Sequence, residues 1–321
     1  MTSITLPSSG RRMMRAMLLA GAAAALLAGA AQAQVHLKET WTIEGANGHF
    51  LTSIQNSGAA YGFTEAQTAK LRLQGAKAIE LLKAVPSVSS PPPPACSLIR
   101  TRENNTLHPG GVVASDIAVT TPVLGEDGKC GGPPIIHLTE MSTTIYLNLP
   151  VGLPTKSPVD DGVDDDWRFL QILDRRPGYL ELPNAVYFHE SRAELIKPIS
   201  VERYARDQLR MLTDGGRHDG GPLAAEWEGR LANWSPEERA GDACLEADLM
   251  MAKPDNGCRD DRKAWEFNTA FFDSTRPSDV QMIAFDFPGL LNDESAASWS
   301  VREPIPRLLD RGALASLIAR P

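Results

Sequence analysis

The sequence predicts an α+β fold, a mainly antiparallel sheet packed with several amphipathic helices and closed by two disulfides. Three observations carry this expectation. Short β-like segments come in runs and are followed by helices, without a repeated βα alternation. The helical stretches place apolar residues three and four apart on one face only. Four cysteines, Cys96, Cys130, Cys244 and Cys258, lie behind an export leader, an even number in an oxidising compartment.

The leader is residues 1–33. Arg11, Arg12 and Arg15 precede an apolar run from Met17 to Ala31, and Ala31-Gln32-Ala33 supplies the small residues of a cleavage site. The run is too short and too rich in Ala and Gly to span a bilayer, and no later segment supplies an integral membrane span. Arg11-Arg12 raises the twin-arginine route, but Arg15 stands where that signal needs an apolar residue, so the general secretory route fits better. The expected location is periplasmic or secreted. The net charge of −8 becomes more negative once the leader's arginines are gone, which argues against nucleic acid or an anionic membrane surface as a partner.

In chain order, "VHLKETWTIEG" alternates as a first strand. Thr64 and Gln67 form a capping box, and Leu71, Gly75, Ala78, Leu82 and Val85 follow on one helical face. Pro86 ends that helix, and "SVSSPPPPAC" reads as an extended connector. Residues 34–95 thus form an N-terminal strand and helix region with a proline-rich connector, and 96–321 the main α+β domain. "GVVASDIAVTTPVL" and "IIHLTEMSTTIYLNL" read as strands, with Ile145, Leu147 and Leu149 alternating against Tyr146 and Asn148. "WRFLQIL", "GYLELPNAVYF" and "AELIK" are further short strands.

Ser200 caps the next helix, Ile199 staples onto Tyr204, and Val201, Ala205, Leu209 and Leu212 form its buried stripe. The glycines of "DGGRHDGGP" interrupt it, and a second helix carries Leu223, Trp227 and Leu231. Ser235-Pro236-Glu237-Glu238 starts a third. "DVQMIAFDF" is one more strand. Pro304 to Ala319 reads as a single closing helix with Ile305, Leu308, Leu309, Leu314, Leu317 and Ile318 over the core.

The order of a β segment, "IKPISVERYARDQL", a helix, "LANWSPEERAG" and then "FNTAFFDSTRPSDVQMI" resembles exported bacterial proteins of unassigned function. The resemblance covers the C-terminal half and rests on caps and turns, so it implies no catalytic residue.

Chemistry is sparse. Sequential pairing, Cys96 with Cys130 and Cys244 with Cys258, closes two local loops, each worth on the order of 3 kcal/mol. Zinc would need close cysteine or histidine pairs, which are missing. "PVDDGVDDDW" packs five aspartates into seven positions. It fails as an EF-hand, because counting from Asp160 puts Asp165 where glycine is needed and Gln171 where the bidentate glutamate belongs. The plain reading is a solvated polar turn. The one site it offers is an irregular calcium cage from Asp160, Asp164 and Asp166.

His189-Glu190, at the end of the apolar "AVYF", is the most suggestive catalytic pair, an imidazole base with a carboxylate to orient it. A hydrogen-bonded turn is the plain alternative. No GxSxG elbow or phosphate loop is present. Trp227, Trp234, Trp265, Phe267, Phe271 and Phe272 are either core or a stacking platform, and Trp227 sits on a buried stripe. The expected function is that of an exported soluble protein, a non-catalytic binding or envelope-associated factor without a cofactor. The alternatives are a periplasmic hydrolase with a site assembled from dispersed His and carboxylate groups, and a calcium-stabilised structural module.

Overall fold

The computed structural model describes residues 38–44, 50–56, 64–92, 95–103, 111–121, 142–154, 167–214, 221–246, 252–254, 257–287 and 296–319. The strands are β1 (Lys38–Glu44), β2 (Phe50–Asn56), β3 (Ser97–Glu103), β4 (Ser115–Thr120), β5 (Thr143–Leu147), β6 (Trp167–Phe169) and β7 (Asp174–Arg176). They continue with β8 (Tyr179–Leu182), β9 (Ala185–His189), β10 (Ile196–Pro198), β11 (Ala243–Leu245), β12 (Ala252–Pro254), β13 (Ala264–Phe267) and β14 (Met282–Asp286). The helices are α1 (Glu65–Lys83), α2 (Pro86–Ser89), α3 (Val201–Asp214), α4 (Gly221–Asn233), α5 (Pro236–Ala240), α6 (Ala296–Arg302), α7 (Ile305–Leu308) and α8 (Arg311–Ala315).

The architecture is α+β with mostly antiparallel pairing. One nine-stranded sheet runs β1-β2-β3-β4-β5-β14-β9-β8-β7, and its one parallel pair is β2 with β3. A three-stranded sheet, β10-β13-β6, and a β11-β12 hairpin complete the strands. Residues 34–95 therefore contribute two strands to the same sheet as the rest, and α1 to the same core. No helix among the described residues is long and apolar enough to cross a membrane.

Sequence explains the local starts. Thr64 caps α1 reciprocally with Gln67: the Thr64 amide donates to Gln67 Oε1 at 2.7 Å, and the Gln67 amide to Thr64 Oγ1 at 3.3 Å. Ser235 and Glu238 repeat the arrangement at α5. Ser200 Oγ accepts from the Arg203 amide at the start of α3.

The expected α1 stripe is buried: Leu71, Ala78, Leu82 and the following Val85 face the sheet. Gly75 lies between them, and a Cβ there would meet Ile117 and Leu147 at 3.8 and 4.0 Å, ordinary contact distances. Each fully buried leucine contributes roughly 2–3 kcal/mol by leaving water.

Three cores result. The first fills the space between one face of the large sheet and α1, α2 and α6 to α8, with Ile117, Ile145, Ile283 and Phe285 from the strands. The second lies on the opposite face, under the small sheet, and takes Tyr187, Met282, Trp265, Phe267 and Phe271. The third packs α3 and α4 against the β11-β12 hairpin around Trp227 and Tyr204. The aromatic side chains Trp227, Trp265, Phe267, Phe271 and Phe272 are thus core rather than a stacking platform.

Two expectations are corrected, and a third is met in part. The proline-rich connector opens with a helical turn, α2, because Pro86 occupies the first helical position, where its missing N–H costs nothing. The closing helix is two short ones. Leu309 is extended, Asp310 caps α8 by accepting from the Ala313 amide at 2.8 Å, and Leu308 is left 57% exposed. Of the two expected disulfides, Cys244–Cys258 is complete among the described residues, with the sulfurs 1.95 Å apart. Cys96 is buried and also disulfide-bonded, while Cys130 lies outside the described residues.

The Cys244–Cys258 bond closes a short loop around β11-β12. A Cys244→Ser/Cys258→Ser double variant is expected to lose about 3 kcal/mol of unfolding free energy in urea titrations under oxidising conditions. Equal stability of variant and parent would show that the loop is ordered without the bond.

Candidate functional site

All of β9 is buried, and His189 ends it. Its ring stands edge-on to Phe271 with centroids 5.7 Å apart, and Nδ1 lies 2.9 Å from the backbone oxygen of Glu190. That oxygen can only accept, so Nδ1 carries the proton. Burial lowers the imidazole pKa, against smaller raising effects from the Glu190 backbone bond and the Glu194 charge, which keeps the ring neutral.

The Glu190 carboxylate does not orient this imidazole. Its side chain is 1% exposed and is clamped by Arg276 Nη2 at 2.8 Å to both oxygens, and by Arg192 Nε. Arg192 also donates to the Phe271 backbone oxygen and to Gln281 Oε1, each at 3.0 Å. Gln281 in turn accepts from the Asp273 amide and donates to the Asp273 and Arg276 carbonyls.

Asp273 is pulled down to about 2 by hydrogen bonds from the Thr275 hydroxyl and amide, and further by Arg276. Arg276 reaches Asp279 at 3.5 Å, and Lys70 of α1 pairs with the same carboxylate. Asn148, at φ 57°, finishes the knot. Its Oδ1 accepts from the Gln281 and Met282 amides, and its Nδ2 donates to the Val113 and Asp279 carbonyls. His189 and Glu190 are brought together in sequence only, and each serves a structural clasp.

Asp160, Asp164 and Asp166 lie outside the described residues, as does Cys130. Among the described residues no group of three or more His, Cys, Asp or Glu is placed to hold a metal.

Concavity is found elsewhere. A cavity of about 230 Å³ opens at one end of the large sheet, where β5 begins, β14 ends and the turn between β8 and β9 passes. Thr143, Asn184 and Phe287 form its sheet side, and Trp299, Arg302 and Glu303 its helical side. Pro183 and Pro306 complete an apolar rim.

The sequence folds this way because Thr143, Ile145 and Leu147 share one face of β5. Thr143 is the polar last member of a row that otherwise faces the first core. Ser87 Oγ donates to the Val301 carbonyl at 2.7 Å and holds α6 in place. Neither the Thr143 hydroxyl, the Asn184 carboxamide nor the Trp299 indole N–H has a partner among the described residues. Glu303 is held by Arg307 at 2.7 Å.

The opposite face of the same strands is unexpectedly polar. Asp116, Tyr146, Ala284 and Tyr187 are cross-strand neighbours in one rung, and Arg100, Ala118, Thr144, Asp286 and Ala185 in the next. Asp286 has no cation partner among the described residues. Burial pushes its carboxyl up to about 6, with a smaller lowering effect of the Phe287 amide bond.

Burial also raises the Tyr187 phenol, and the nearby Asp286 charge adds to it. Its hydroxyl donates to the Val151 carbonyl at 2.8 Å, directly beside Gly152 at φ 78°. A Cβ on Gly152 would sit 3.0 Å from that hydroxyl, so glycine is needed there on both counts.

No sequence motif marks the cavity, whose lining comes from four separated segments. Asp286 did leave a signal, an acid in register with Met282 and Ala284 on an apolar strand face. No protein-family model, curated protein or solved structure matches the chain.

Asp286 sets a pH dependence. Its folded pKa lies above its ordinary value of 3.8, so the native state keeps a proton that the unfolded chain releases. The stability cost is absent below about pH 4, grows as pH rises and is complete above about pH 6. Asp286→Asn is expected to gain on the order of 2 kcal/mol more at pH 7.5 than at pH 4 in urea unfolding, allowing for partial solvent access. An equal effect at both pH values would place the carboxyl in water.

Proposed function

We propose that this chain is an exported, non-catalytic binding protein that takes a small polar ligand between the end of its large sheet and α6 and α7. The supporting observation is the cavity: aromatic and proline walls surround Thr143, Asn184 and Trp299, whose polar groups are uncommitted to other described residues. Few, well-placed polar groups in an apolar hollow orient a ligand.

Against the hydrolase alternative, the neutral His189 donates to a carbonyl, and the Glu190 carboxylate is taken by two arginines. A base and its orienter would need to meet. The leader at residues 1–33 and a second disulfide, Cys96 with Cys130, belong to the same reading, because disulfides persist in the periplasm or outside the cell. A net charge of −8 accords with a partner other than nucleic acid.

Two measurements test this. The full chain, expressed in a Gram-negative host, is expected in the periplasm or medium with Gln34 as its first residue; an uncleaved cytoplasmic product would overturn the export half. A thermal-shift screen of small polar molecules is expected to find stabilising compounds whose effect is lost in Trp299→Ala. Compounds that stabilise parent and Trp299→Ala equally would remove the cavity from the proposal.

A further inference from the structure

We infer that the ligand of this cavity is a small monocarboxylic acid with a flat apolar body, its carboxylate held by Arg302; this rests on the binding reading above. Arg302 is only 2% exposed, yet it lines the cavity. A guanidinium taken out of water is costly unless acceptors surround it. Its Nη1 is buried without a hydrogen-bond partner among the described residues, so a carboxylate can take those N–H groups while the other donors keep the contacts Arg302 already makes.

The remaining lining fixes the rest of the molecule. Trp299 and Phe287 contribute aromatic rings, and Pro183 and Pro306 an apolar rim, which suits a flat or short apolar body. Thr143 and Asn184 can hold one further hydroxyl or carbonyl. The volume of about 230 Å³ has room for about eight water-sized groups, a single ring or a short chain.

Charge narrows the class further. Arg302 and Glu303 are the charged residues of the lining, and Glu303 already carries Arg307. Arg311 adds a second positive group behind Phe287, 5.9 Å from the ring centroid, although it also pairs with Glu181. A cationic ligand would be repelled by the buried guanidinium. A phosphate dianion would find one arginine beside a carboxylate, less than its charge demands. A monoanion matches what is there.

The test uses matched acids and amides on the mature disulfide-bonded protein. The indole N–H resonance of Trp299, identified by its loss in Trp299→Phe, is followed with benzoate against benzamide and lactate against lactamide. At least one acid is expected to shift it with a dissociation constant about tenfold or more below that of its amide. Arg302→Gln is expected to erase that preference. Arg302→Lys is expected to keep only part of it, because the bidentate fork is gone.

Amides binding as tightly as acids, or an acid preference that survives Arg302→Gln, would overturn the carboxylate assignment and leave the cavity as a binding site. If neither acid nor amide moves the Trp299 resonance, the carboxylate assignment fails, and the Trp299-dependent screen then decides the broader reading separately. Should Arg302→Gln not fold, the acid-to-amide ratio in the parent protein decides alone.

Discussion

Strand β14 is hydrogen-bonded along both edges, to β5 on one side and β9 on the other, and that double pairing makes one sheet out of two. Without it, β1 to β5 and β7 to β9 are separate ribbons. Ile283 and Phe285 point into the first core and Met282 and Ala284 into the second, so the same five residues hold both layers apart. The strand comes late in the chain and lands between partners far earlier in sequence. Its ordering therefore waits on long-range contacts, the slow kind of sheet formation. Asn148 secures the landing by accepting from the amides of Gln281 and Met282, donors at the strand's start that would otherwise be buried unpaired.

Two carboxylates, Glu190 beside this strand and Asp286 at its end, show the same physical problem solved in two ways. Glu190 is almost fully buried, and Arg276 and Arg192 compensate the lost hydration with charge-assisted hydrogen bonds. Removing either arginine would leave a buried charge with half its support, so the clasp fixes the loop from Phe271 to Gln281 against β9. Asp286 has no such cation among the described residues and responds by holding its proton more tightly. The first solution specifies structure, and the second leaves a group whose charge depends on pH.

Local signals were legible in the sequence wherever a single segment carries the whole physical reason. The Thr64–Gln67 and Ser235–Glu238 boxes, the α1 stripe and the Cys244–Cys258 pair all close within a few turns of chain. The reading failed where a competing local rule was at work. Pro86 was read as a helix stop, but it also starts one. The apolar spacing after Pro304 read as one helix, but Asp310 is a better cap than a mid-helix residue. For His189 and Glu190 the sequence shows adjacency but not direction. The imidazole meets a backbone oxygen and the carboxylate meets arginines from other segments.

The arrangement of the two faces of β14 supports the binding reading proposed above. Catalysis needs a group of suitable pKa within reach of the bound molecule. Asp286 is a carboxyl that burial pushes up to about 6, but it alternates with Phe287, and it is Phe287 that lines the cavity. Successive strand residues point to opposite faces, so the sheet itself lies between the titrating acid and the cavity. Register pairs Asp286 with Thr144, while Thr143 faces the cavity, and the same separation holds on β5. A ligand seated against Trp299 meets hydroxyl, amide, indole and guanidinium groups that can hold it. The Asp286 carboxyl, pushed up to about 6 by burial, lies on the other side of the backbone.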